Sequence, residues 1–169
     1  MGFKKILAAI DYSSLSQSVF EQALELAKSN RATLKLFHSL TADMVALSPP
    51  FTGEFGLPQS AISQTYQADF IRLEQQIQYI QTALNHFCQI ANREGIVAEY
   101  GYEMIEAGQG ICQAAHRWNA DLIVLGRRGR TGLAEVLLGS VSNYVMHHAA
   151  CAVLVIQANA VSEKTSVPM

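Results

Sequence analysis

Apolar positions along this chain follow two rhythms that take turns. Short, nearly continuous apolar runs occupy 4–10, 32–38, 96–103, 122–125 and 152–156. Between them, apolar residues recur every three or four positions: Val19, Phe20, Ala23, Leu24 and Ala27; then Phe70, Leu73, Ile77, Ile80, Leu84, Phe87 and Ala91; then Ile111, Ala114, Ala115 and Trp118. The first rhythm suits strands covered by helices on both faces, and the second suits amphipathic helices. The order β-α-β-(loop-α)-β-α-β-α-β predicts an α/β fold. Right-handed crossovers place such strands in a five-stranded parallel sheet with helices on both faces and strand order 3-2-1-4-5.

Element ends can be read as well. Ser14 and Gln17 have the spacing of a capping box, predicting a first helix over about 15–29. Gly95 suits the C-terminal stop of the long second helix, whose other face carries Gln67, Gln75, Gln76, Gln78, Gln81 and Gln89. The run 96–103 is the least apolar and belongs near a sheet edge. From about 40 to 66, Pro49, Pro50, Gly53, Gly56 and Pro58 break any regular element. This insertion is either a lid or partner contact near the ligand edge or, more simply, a surface loop. A single domain over 1–157 followed by a loose polar tail, 158–169, is expected.

The candidate chemistry gathers after the run 122–125. Gly126 and Gly129 remove side chains where the chain leaves that strand, so backbone amides can approach a bound group. Gly139 and Ser140 open the next helix, with Ser140 in the position of an N-cap and Val141 and Ser142 behind it. The first amides of a helix have no intrahelical partner and favour an anion, most naturally a phosphate. Asp11 ends the first strand at the carboxyl edge of the sheet, where open α/β sheets bind ligands. It serves either as a ligand contact or as a local cap on turn amides.

The pattern G-x2-G-x9-G-S formed by Gly126, Gly129, Gly139 and Ser140 resembles the nucleotide-binding signature of the universal stress protein family. The likeness continues through 140–145 and 148–156. It implies the same sheet order and an adenine nucleotide, ATP or AMP with Mg2+ as companion ion, held by Ala9, Asp11, Ser39, Gly126, Arg128, Gly129, Gly139, Ser140, Val141 and Ser142. It further implies a stress-response regulator that dimerises through the last strand, 152–156, an apolar edge that has no charge of its own to guard it. Tyr12 and Arg127 depart from the small residues that family members often carry at those places.

Other classes fit less well. An ATP hydrolase would have to be slow, since G-x-x-x-x-G-K-[ST] is missing and no general base is evident. G-x-S-x-G is absent, and Gly108-Gln109-Gly110 is only half a dinucleotide fingerprint because Gln113 stands at its last glycine. A scaffold that binds no nucleotide is the remaining alternative. With 50% hydrophobic residues and a formal charge of −2, the composition supports a core and argues against nucleic acid as partner, although Arg127, Arg128 and Arg130 crowd the glycine turn. No run approaches the ~18 to 20 apolar residues of a membrane span, so a soluble, cytoplasmic protein is expected. Cys88, Cys112 and Cys151 lack C-x-x-C spacing and suggest neither a disulfide framework nor a zinc site. His38 reads as a packed, hydrogen-bonded histidine rather than a catalyst, since nothing in the sequence supplies a group to activate it, and it is assigned no chemical role.

Overall fold

In a computed structural model the chain is described over residues 2–11, 13–41, 59–127 and 139–157, with side chains in the third segment described from 67 onward. Nine elements follow one another there: β1 (Lys5–Ala9), α1 (Ser16–Asn30), β2 (Thr33–Leu40), α2 (Gln59–Arg93), β3 (Ala98–Met104), α3 (Ala107–Trp118), β4 (Leu122–Arg127), α4 (Ser140–His148) and β5 (Ala152–Gln157). The strands form one sheet in the order β3-β2-β1-β4-β5, all neighbours parallel, as the alternation of elements predicts. β3 is an edge strand, in keeping with its weaker apolar character.

The sheet is buried on both faces because successive side chains of a strand point opposite ways. Ile6, Ala8, Leu34, Leu36, Leu122 and Val124 pack with α1 and α2. Leu7, Phe37, Ile123 and Leu125 pack with α3 and α4 on the other side. Phe20 of α1 and Phe87 of α2 bring their rings to 4.5 Å, closing the first layer. Burial of a ring the size of Phe20 contributes roughly 2–3 kcal/mol.

Several local expectations change. Ser14 does not cap α1; Leu15 holds the N-cap position in right-handed helical geometry with no side-chain cap bond. The turn is organised from Asp11 instead, and Gln17 donates to Glu21 at 2.8 Å, one helical turn onward. Gly95 does close α2, at φ 80°, with its amide on the Asn92 carbonyl at 3.0 Å. α2 begins at Gln59, earlier than the proline- and glycine-rich boundary at about 66, and runs for 35 residues. Polar Gln, Ser and Thr in its first turns carry no apolar rhythm, so the pattern hides them. At 1.5 Å per residue it is about 50 Å long, roughly two to three times the length of the strands. It therefore overhangs the sheet: Ile80, Leu84 and Ala91 are buried, but Phe70, from the same stripe, is 66% exposed.

Candidate functional site

β1 ends between two longer neighbours. Ala9 stands level with Phe37 of β2, which continues to Leu40, and Ala8 stands level with Val124 of β4, which continues to Arg127. The chain leaves β1 at Ile10 and turns into α1 on one face, while β4 leads toward α4 on the other. β1 is thus the shortest strand, and its end lies at the carboxyl edge where the strand order reverses, the place at which open α/β sheets bind ligands. Ala9, Asp11, Gly126 and the start of α4 all belong to this edge by their place in the topology.

Asp11 is exposed and makes the turn. Its Oδ1 accepts from the Ser13 amide at 2.9 Å and from the Ser16 hydroxyl at 3.0 Å. The Ser13 hydroxyl also donates to Oδ1, and the Ser16 hydroxyl reaches the Asp11 carbonyl oxygen. These bonds fasten the first turn of α1 to the end of β1, so the local-cap role expected as one alternative is present.

The N-terminus of α4 is built from backbone. Gly139, not Ser140, holds the N-cap position, at φ 50° and ψ 147°, and no side chain caps the helix. That conformation is close to glycine-only, which explains the glycine without appeal to space: an added Cβ would meet Ser142 Oγ at an ordinary 3.5 Å. Ser140 is the exposed first helical residue, and Val141 is half-buried against the α3/α4 layer. Ser142 is buried, and its hydroxyl donates to the Gly139 carbonyl at 3.3 Å. The helix thus presents its opening amides, with their partial positive charge, without a side chain of its own across them.

One glycine and one serine lie inside a strand rather than just beyond it. Gly126 is still inside β4, and its absent side chain makes room for α1: a Cβ there would stand 3.2 Å from Leu15 Cβ and 3.3 Å from Val19 Cγ2. Ser39 lies within β2 rather than after it, paired in register with Glu103. Its hydroxyl is buried, without a hydrogen bond among the described residues, at the spot where α3 comes closest: a Cβ on Gly110 would fall 2.6 Å from it. The half-fingerprint Gly108-x-Gly110 is accordingly a packing device, since a Cβ on Gly108 would strike Tyr144 Cδ1 of α4 at 2.7 Å. Arg128, Gly129, Arg130 and Tyr12 lie outside the described residues, as do most of the 40–66 insertion and the 158–169 tail.

His38 is packed and hydrogen-bonded, as the sequence suggests, but its place beside the Asp11 turn was not legible there. It is 4% exposed, and its Nδ1 lies 2.7 Å from the Ile10 carbonyl oxygen, immediately before Asp11. The available signal was parity: His38 continues the inward-facing series Leu34, Leu36, where a polar ring requires a partner. Burial holds its proton affinity below the usual imidazole range, against smaller opposing effects of the Ile10 carbonyl and the Asp11 charge. Burial likewise raises the Cys112 and Cys151 thiols, and pushes Cys88, also beside Glu99, up to about 11. No group of three or more His, Cys, Asp or Glu among the described residues could hold a metal ion. Among them, too, no helix is long and apolar enough to cross a membrane.

A parallel 3-2-1-4-5 sheet with two helices packed on each face is an α/β fold of the adenine nucleotide alpha hydrolase-like kind. The chain belongs to the universal stress protein family, whose model matches residues 2–157. It is 40% identical to the universal stress protein Sll1388 of Synechocystis over 93% of this chain and 99% of that one. The solved structure of the hypothetical protein MJ0577 superposes with a TM-score of 0.70 at 18% identity, covering 94% of this chain and 99% of that one. A universal stress protein family member from Arabidopsis thaliana, solved with AMP bound, gives 0.56 at 22% identity, with 93% of each chain covered.

Proposed function

We propose that this universal stress protein binds an adenine nucleotide, ATP or AMP, at the carboxyl end of β1 and acts as a stress-response regulator or sensor. One observation carries the reading: at a single edge, where the strand order reverses, the exposed Asp11 carboxylate stands at the end of β1 and an uncapped helix N-terminus opened by Gly139 follows the neighbouring strand. The two ends are chemically different. A carboxylate suits the hydroxyls of a ribose, and helix amides suit phosphate oxygens.

In this reading Ala9 and Asp11 line the adenosine side and the β2 end at Ser39 lies toward the base. Gly139, Ser140, Val141 and Ser142 supply amides and hydroxyls to the phosphates, Gly126 and Gly129 admit the ribose and phosphates, and Arg128 adds a charge-assisted contact. Mg2+ enters only as the companion of a triphosphate. The AMP-bound relative supports the choice of an adenine nucleotide. The β5 edge, 152–156, pairs with its counterpart in a second copy, giving a homodimer.

Denaturing the purified protein, identifying any released nucleotide by mass spectrometry and titrating the emptied protein with ATP and AMP tests the reading. Near-stoichiometric nucleotide or tight rebinding supports it. A folded protein that carries none and rebinds none overturns it in favour of a scaffold. Phosphate released in the same sample separates a sensor from a slow hydrolase.

A further inference from the structure

The junction between β1 and Asp11 is held by an unusual rung. Ile10, the residue after β1, donates its amide to the Phe37 carbonyl at 2.8 Å, as the parallel ladder requires. The next bond outward, on the Ile10 carbonyl, comes from the ring of His38 at 2.7 Å. A carbonyl only accepts, so Nδ1 is the protonated nitrogen, which defines the tautomer. Both polar groups of Ile10 are therefore tied to β2. The Ile10 carbonyl belongs to the same rigid peptide plane as the Asp11 amide, so a ring that orients one orients the other.

We propose that His38 is a positioning residue of the nucleotide site: by holding the Ile10 carbonyl it sets the direction in which Asp11 leaves β1. The inference rests on the nucleotide reading above and deepens it. His38 touches no ligand in this account. It acts through the Ile10–Asp11 peptide, and Asp11 in turn fastens the Ser13–Ser16 turn. A ring packed at 4% exposure between β1 and β2 is stiffer than a surface side chain, which suits an anchor.

Three substitutions test it, because a merely space-filling histidine and an anchoring one respond differently. His38→Asn keeps a donor close to the position of Nδ1; His38→Gln moves it one bond farther along, and His38→Leu removes it. Affinity for ATP and for AMP is measured by calorimetry, folding by thermal melting, and the geometry of the junction by the nitrogen-15 shift of the Asp11 amide in the nucleotide-free protein. The expected result is about tenfold weaker binding for Leu and Gln, the loss of one well-placed hydrogen bond, with the Asp11 amide displaced. Asn should stay within about threefold of wild type by the same measure and keep the wild-type shift. Wild-type affinity in folded Leu and Gln variants overturns the inference alone, as does an Asn variant as weak as Leu. A wild-type protein that binds neither nucleotide overturns the inference together with the reading beneath it, and the Asp11 shift then shows whether the anchor itself exists.

Discussion

Burial makes His38 a source of acid sensitivity. Its folded proton affinity lies below the 6.5 of free imidazole, so the unfolded chain takes up a proton first as pH falls. Stability is therefore undiminished above about pH 6.5, declines as pH drops through the unfolded value, and levels off below the folded one. Melting temperatures from pH 7.5 to 5 should fall more steeply for wild type than for His38→Asn, and parallel curves would show that the ring does not resist protonation. At the α3 contact, a methyl on Gly110 would press on Ile105 Cγ2 at 2.5 Å and on Ser39 Oγ at 2.6 Å. Overpacking of this kind costs about 1–3 kcal/mol, more than the ~1 kcal/mol that alanine adds to a helix. Gly110→Ala should thus lower stability in urea unfolding, while Gly101→Ala, whose Cβ meets only Lys35 Cε at 3.8 Å, should change it by less than about 0.5 kcal/mol.

At the scale of elements, α4 is positioned by its neighbour as much as by its strand. Val145 and Ser142 anchor its inner face, and Tyr144 lies over Gly108 near the start of α3 while its ring stacks on His148 at 4.0 Å. Gly108→Ala would place a methyl 2.7–3.0 Å from Tyr144 Cδ1, Cγ and Cβ. Because Cβ is close to the backbone, the helix itself must yield, and with it the amides proposed to bind phosphate. The variant should lose roughly 1–3 kcal/mol of stability and bind ATP several-fold more weakly. Adding Tyr144→Ala should restore most of the affinity, and a double-mutant cycle in which the two losses simply add would refute the coupling. α2 shows the opposite relation: its inner half is held by Ile80, Leu84 and Ala91, and its first half runs past the sheet.

For the whole molecule, the sheet has two open sides, β3 and β5, and they are differently prepared. β3 carries Glu99 and Glu103, charges that blunt an edge, with Glu99 paired to Lys35 at 2.9 Å. β5 carries none between Ala152 and Gln157 and is half-buried over 153–156, with Leu154 and Ile156 against the α1/α2 layer and Val153 and Val155 against the α3/α4 layer. Sedimentation equilibrium should report twice the chain mass. Amide direction alternates along a strand, so Leu154→Pro and Val155→Pro should differ. One removes an amide facing β4 and unfolds the protein; the other removes one facing outward and yields a folded monomer. A dimer persisting in the folded variant would place the interface elsewhere.

Much of this architecture was legible before any coordinates, because helical and strand periods, glycine stops and the order of elements are local properties of the chain. Five strands, four helices, the parallel order and the Gly139–Ser140 helix start all follow from patterns a few residues wide. What the periodicity could not contain were distances between elements. Gly126 reads as part of a ligand-side turn, and only the packing shows that its bare backbone also admits Leu15 and Val19 of the α1 side. Gly108 and Gly110 read as a broken cofactor motif until Tyr144 and Ser39 are seen to occupy the space where their side chains would be. His38 has no partner in its own segment, because the Ile10 carbonyl it holds is 28 residues away and reaches it only when β1 and β2 lie side by side. Local backbone preferences thus set the elements and their order, and only packing across the sheet decided which small or polar residues fill the contacts between elements.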